Sequence, residues 1–299
     1  MSSFTIRYSY FVSSGRCHRG SASLAYRGVA IAVGTRHGKQ HQFAPAFADV
    51  LGARLVTPPD LDTDRLGTFS GERPRVMTAL EAAREKARMA MAATGLPLGL
   101  ASEASYGPLP DSGVTGHEEI LLFCDTARGI EVLEGHRAAT VPGSTHRVAR
   151  DADLPPAVLD DLSRQAVIVR PDGRPGGVVT GITGTHALRA AIADAAASAE
   201  SGLALVEPDL RAHHNPARRR VLRRLARTLA HRLDTPCPAC RCPGFGRMDT
   251  EAGLPCAMCG EPTASSLAVI HGCPACGHTL RRAVPFGHAD PRDCPDCNP

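Results

Sequence analysis

The sequence predicts an α/β protein: a mixed sheet flanked by helices, followed by a small zinc-ribbon module. Three observations carry this. Strand-like and helix-like segments alternate through the first 234 residues. Two strand-like runs, "EEILLFCD" and "GIEVLEGH", are joined only by "TAR", which is hairpin spacing and makes the sheet mixed. Nine of the eleven cysteines lie between Cys237 and Cys297, a compositional step that marks a boundary. The expected division is an N-terminal segment 1–26, an α/β domain 27–234 ending in an Arg-rich helix, and a tandem zinc-ribbon-like domain 235–299.

Each element has a local reason. Phe4, Ile6, Tyr8 and Tyr10 alternate, which suits an added strand as well as an unstructured tail. "GVAIAV" (28–33) is a short buried-strand run, followed by the loop "GTRHGK". Phe43, Phe47, Val50 and Leu51 then fall at helical spacing, and "ARLVTPP" reads as a strand stopped by two prolines. Residues 60–77 carry turn formers and charge without a period, so a loop is expected. Thr78 and Glu81 form a capping box that opens a helix with Leu80, Ala83, Ala87, Ala90 and Met91 on one stripe, closed by Gly95. "GLPLGLASEASYGPLP" predicts a short strand and a turn, with Glu103 at the strand end. The region around 135–163 has no pattern. "QAVIVRPDG", "THALRAAIADAAASAESG" and "LALVEPD" read as strand, helix and strand. Asn215 and Pro216 are an N-cap and first helical residue, and the helix they open has Val221, Leu222, Leu225, Leu229 and Leu233 on one side and arginines around the rest.

Composition bounds the function. A 43% hydrophobic fraction suffices for a core, while 4% aromatics and no tryptophan argue against broad base-stacking platforms. The net charge of +4 is too mild to indicate a polyanion partner by itself. No apolar run is long enough to span a membrane, and the N-terminus lacks the pattern of a secretory leader, so a cytoplasmic protein with reduced cysteines is expected.

The tail holds four C-x-x-C pairs: Cys237/Cys240, Cys256/Cys259, Cys273/Cys276 and Cys294/Cys297. Two thiolates on one tight turn can face one ion, and a second such turn completes a tetrahedron. The segments between pairs are too polar to build a core unaided, so metal would supply folding energy. Two structural zinc ions are expected. Consecutive pairs can share an ion, or the pairs can interleave. Cys242 is surplus, and with His271, His278 and His288 it can replace a ligand.

In the body, "GTRHGK" between a strand and a helix is where phosphate meets backbone amides, with Thr35, Gly38 and Lys39 as candidates. It is not a Walker A loop, because Gln40 replaces the Mg²⁺-binding hydroxyl. Glu103 can hold Mg²⁺ or orient water, joined by Asp62, Asp64 and Glu72. In "DLRAHHNPARRR", Arg211, His213 and His214 either meet an anion near the helix N-terminus or bond locally.

The order "TRHGK" (35–39), "TALEAAREKA" (78–87), "GLPLGLASE" (95–103) and "HNPARRRVLRRL" (214–225) resembles the inosine triphosphate pyrophosphatase-like family, whose members hydrolyse non-canonical purine nucleoside triphosphates to monophosphates. The resemblance implies that Thr35, Lys39 and Lys86 face phosphate, Glu103 holds Mg²⁺ and His214 lies near the base. The sequence departs from that pattern at Gln42, Ala82, Ser102 and Asn215, where the family carries an acid, an asparagine, a second acid and an arginine. The whole chain also resembles a bacterial family of unknown function that joins such a body to a zinc ribbon. Three readings follow. The first is a zinc-binding protein whose body binds a nucleotide or other phosphorylated small molecule, with Mg²⁺-dependent pyrophosphohydrolysis using Glu103, Lys39 and Lys86 as the catalytic set. The second is a non-enzymatic nucleic-acid binder using the ribbons and the Arg-rich helix. The third is a protein-interaction module docking a partner through the ribbons.

Overall fold

The computed structural model describes residues 25–67, 76–109, 114–139 and 143–299. Residues 1–24 of the expected N-terminal strand or tail, and residues 68–75 of the expected 60–77 loop, lie outside them.

The first sheet runs β2-β1-β3-β4-β5, with β1 (Ala30–Val33), β2 (Arg54–Val56), β3 (Leu98–Pro108), β4 (Thr115–Asp125) and β5 (Ile130–Ala138). β1 pairs in parallel with β2 and β3, while β3–β4 and β4–β5 are antiparallel, so the sheet is mixed as predicted. Helix α1 (Gln40–Leu51) covers one face with α5 (Pro216–Asp234), and α2 (Ala79–Thr94) covers the other. Alternation explains this: Leu100, Leu121 and Phe123 join the core under α1 and α5, whereas Ala101, Ile120 and Leu122 join the one under α2. The Thr78–Glu81 capping box forms in full, and the Asn215 side chain accepts from the Arg218 amide at 3.0 Å.

Two expectations are corrected. The strands around 167 and 203 do not extend the first sheet. They form a second, antiparallel sheet, β6-β9-β7-β8, from β6 (His146–Ala149), β7 (Val167–Pro171), β8 (Val179–Ile182) and β9 (Leu203–Pro208). It packs on α4 (Thr185–Ser198) around its own core. The patternless region contributes β6 and α3 (Pro156–Arg164), both too short for a period to show in sequence. The predicted turn after Glu103 is also absent. β3 is an eleven-residue strand, and Glu103 stands mid-strand opposite Ile120.

The tail builds a three-stranded sheet, β10 (Gly246–Ala252), β11 (Ser266–Gly272) and β12 (Thr279–Ala283), in sequence order. Its first cysteine turn belongs to the body's core: Cys237, Cys242, Phe245 and Cys273 cluster with Leu229 and Leu233 of α5. No helix among the described residues is long and apolar enough to cross a membrane.

The residue after each of the first three cysteine pairs is left-handed: Arg241 at φ +63°, Gly260 at +79° and Gly277 at +71°. Glycine tolerates this freely, while a β-carbon costs roughly 1–2 kcal/mol there. Replacing Arg241, which is exposed, with glycine should therefore stabilise the tail by about 1 kcal/mol. A higher denaturant midpoint at unchanged zinc content checks it, and an unchanged or lower midpoint contradicts it.

Candidate functional site

Two sites emerge, one of sulfur in the tail and one of buried charge in the body. In the tail the eight cysteines form two tetrads, Cys237/Cys240/Cys273/Cys276 and Cys256/Cys259/Cys294/Cys297. The pairs therefore interleave, first with third and second with fourth. Each sheet end carries one tetrad, because β10 leads away from Cys240 toward Cys256 and β11 returns to Cys273. The turns are alike: the Cys237, Cys256 and Cys273 amides donate to Cys242, Glu261 and His278 carbonyls at 2.8, 2.8 and 2.9 Å.

The geometry fits zinc. Sulfurs across the tetrads lie 3.8 and 3.6 Å apart in the first and 3.8 and 3.6 Å in the second. A tetrahedron with Zn–S of about 2.3 Å has edges of roughly 3.8 Å. A disulfide would bring sulfurs to about 2.05 Å. Amides of Met258 and Ala275 also point at the Cys256 and Cys273 sulfurs, at 3.3 and 3.4 Å, which favours the thiolate form. Each tetrad has four protein ligands and no open position, so its role is structural. Cys242, His271, His278 and His288 stand outside both tetrads.

In the body, β1 ends at Val33, but β3 continues beyond it. α1 leaves β1 on one face of the sheet and α2 enters β3 on the other, so the carboxyl end of β1 is a switch point of the kind where α/β sheets bind ligands. The Gly34–Lys39 loop lies there. Gly34 is required by a close approach: a β-carbon would sit 2.2 Å from the Lys86 carbonyl oxygen. Gly38, at φ +68°, turns the chain toward α1. Thr35 is buried and accepts from the Lys39 amide at 3.4 Å, which shapes the loop.

Three predicted residues meet at this point. Lys39 Nζ donates to the Ser102 hydroxyl and carbonyl at 3.1 and 3.3 Å. Lys86 Nζ donates to Glu103 Oε1 at 2.5 Å, with both side chains buried. Lys86 is enclosed beside the apolar stripe of α2. Glu103 is thus engaged by an ammonium and is not an open Mg²⁺ ligand in this arrangement. Asp62 and Asp64 are likewise occupied, by Arg36 at 3.0 Å each and, for Asp64, by His37 at 3.2 Å. Glu72 lies outside the described residues.

Sequence reasoning missed the rest of the cluster. Arg218 falls among the arginines placed around the helix opposite its leucines, yet it is 2% exposed and grips Glu119, which is 0% exposed, through two bonds of 2.7 and 3.0 Å. It also donates to the Leu210 carbonyl. Arg232 is buried too, donating to Glu134 at 2.9 Å and to the Gly244 and Leu133 carbonyls. His117 lies 3.3 Å from Glu119 and stacks on Tyr106, with ring centroids 4.5 Å apart. A signal existed: Glu119 shares its strand face with Leu121 and Phe123, and an acid there needs a partner.

The electrostatics follow. Burial raises the Glu119 carboxyl, but the Arg218 guanidinium and hydrogen bonds from His117 and Arg218 override it and hold it at about 2. Burial lowers Lys39 to about 8, with Arg218 and Lys86 pushing the same way and Glu103 opposing. Lys39, Lys86 and Arg218 thus outnumber Glu103 and Glu119.

The opening of the last body helix joins this site from the side of the second sheet. Asp209 holds Arg211 at 2.9 and 2.7 Å. His213 stacks on His37 of the loop at 4.9 Å, and its ring lies 4.0 Å from that of His214. Burial, then His214, Arg211 and His37, push His213 down to about 4. His214 packs against Gly181, where a β-carbon would lie 2.9 Å from its Nε2.

Fold and sites together define a mixed α/β protein with two cysteine tetrads able to hold zinc. The chain belongs to the family described as "Domain of unknown function (DUF6671)", whose model matches residues 86–299. Neither the curated proteins nor the solved structures contain a match to it.

Two predictions follow from these sites. Glu119 has its folded value depressed from 4.5 to about 2. Its contribution to stability is complete above pH about 4.5 and fades as pH falls toward 2. Glu119→Gln should be less stable at neutral pH and lose less on acidification through that window, as read by denaturation at several pH values. Parallel losses in both proteins would contradict this. Stripping both metals with a strong chelator should melt the tail and, because Cys237 and Cys273 lie in the body's core, also lower the body's melting temperature. An unchanged body transition would contradict it.

Proposed function

We propose that the body binds a phosphorylated small molecule, a nucleotide, in the crevice at the carboxyl end of β1. One observation carries this reading: Lys39 and Lys86 converge with Glu103 beside the Gly34–Lys39 loop, where, among the described residues, half-buried Lys39 with buried Lys86 and Arg218 stands against two carboxylates, Glu103 and Glu119. A site with surplus buried positive charge attracts an anion, and a phosphate there would relieve the pressure that lowers Lys39 to about 8. The loop amides at the start of α1 favour the same ligand. Arg211 and His213 reach the loop through the His37 stack and can close over the rest of the molecule.

The nucleotide assignment draws on the order of Lys39, Lys86, Glu103 and His214, which resembles the inosine triphosphate pyrophosphatase-like pattern. Hydrolysis is the less favoured extension. Glu103 is engaged by Lys86 and Glu119 by Arg218, so Mg²⁺ would have to displace a cation. The geometry therefore supports binding ahead of catalysis.

Thermal denaturation against a panel of nucleoside mono-, di- and triphosphates is the test. A ligand present at a hundredfold excess over its Kd should stabilise the protein by about 2.7 kcal/mol, and Lys39→Ala should remove most of that gain. If no nucleotide shifts the transition, or Lys39→Ala responds as the parent does, the reading fails.

A further inference from the structure

We propose a second, independent site: the trough between α5, β5 and the tail sheet binds the phosphate backbone of a single-stranded nucleic acid. The trough has a volume of about 450 Å³ and, among the described residues, is lined by Arg224, Arg232, Arg247 and Arg282 together with three histidines and one carboxylate, Glu134. Glu134 is bonded to Arg232 at 2.9 Å. Arg224, Arg247 and Arg282 come from three separate elements, α5, β10 and β12, and line one space.

The positive surface is longer than the trough. Arg220, Arg224 and Arg227 are all exposed and follow one another at four- and three-residue spacing, a straight stripe along α5. The stripe covers eight residues of helix, about 10 Å, and α5 carries no carboxylate before Asp234. Arg224 bonds His136 and Arg223 bonds Gln42, both uncharged partners that leave the arginine charge in place. A cation row of this length suits a chain of phosphates better than one phosphate group. The trough is walled by α5 on one side and β12 on the other. Recognition would be through phosphates, not stacked bases, because Phe245, the one aromatic residue besides histidine among the described residues lining the trough, is 6% exposed.

The test uses the full zinc-loaded chain and a fluorescent twelve-nucleotide single strand, RNA and DNA in parallel, read by anisotropy. Neutralising four phosphates predicts roughly fifty-fold weaker binding on going from 50 to 200 mM salt. Arg224→Ala/Arg227→Ala/Arg282→Ala should weaken binding at least tenfold with zinc content and melting temperature unchanged. Should the triple variant be unstable, Arg227→Ala and Arg282→Ala, both at exposed positions, are read singly, each with a smaller loss. Lys39→Ala should bind the strand normally, which separates this site from the crevice at β1. No binding, a triple variant that binds like the parent, a duplex bound as tightly as a single strand, or attachment only to anionic vesicles or phosphopeptides would each overturn the proposal.

Discussion

Thiolate coordination at the two interleaved tetrads is the constraint on which the tail depends. Its strands are short, and β12 is exposed at every position. Such a sheet has too little apolar surface to offset the entropy of ordering its chain. Interleaving changes what the metals do. Were consecutive pairs to share an ion, each zinc would close a local loop and leave the two loops free of each other. With first and third pairs joined, and second and fourth, each metal closes a loop that contains one turn of the other site, and all three strands become fixed between the two ions.

The first tetrad also ties the tail to the body. Cys237 follows closely on α5, and Cys237 and Cys273 pack among the leucines of that helix. α5 in turn is pinned to the first sheet by Arg218 on Glu119 and by Arg232 on Glu134 and the Leu133 carbonyl. Two buried guanidinium–carboxylate pairs on one helix are costly to desolvate and stabilise only where geometry is good. The Arg218–Glu119 pair, held by two bonds, has it, and both pairs fix the register between α5 and the sheet. The chain of dependence runs from metal to helix to sheet, and reaches the crevice through Arg218.

Much of this was legible in the sequence because it is written in local chemistry. The Thr78–Glu81 capping box, the Asn215–Pro216 start of α5, the hairpin around "TAR" and the membership of the cysteine tetrads in four C-x-x-C turns depend on a few adjacent residues. Partnering at a distance was not legible. Nothing local distinguishes Arg218 from Arg219, yet one is buried on Glu119 and the other donates to a carbonyl at the surface. The same holds for the interleaving: consecutive outer pairs lie 15 and 17 residues apart, the spacing of a ribbon, whereas the pairs that share a site lie 32 and 34 apart. The choice of Lys39, Lys86 and Glu103 as candidates was legible from their order. Glu103's position was not: β3 runs on past the Gly and Ser residues that looked like a turn, because it pairs with β4 along its whole length.

The interleaved metal arrangement is tested most directly by replacing zinc with ¹¹³Cd and correlating each cadmium resonance with the cysteine β-protons bonded to it. The account predicts two cadmium signals, one coupled to Cys237, Cys240, Cys273 and Cys276 and the other to Cys256, Cys259, Cys294 and Cys297. A signal that joins Cys237 and Cys240 to Cys256 and Cys259, or a single signal, would contradict it.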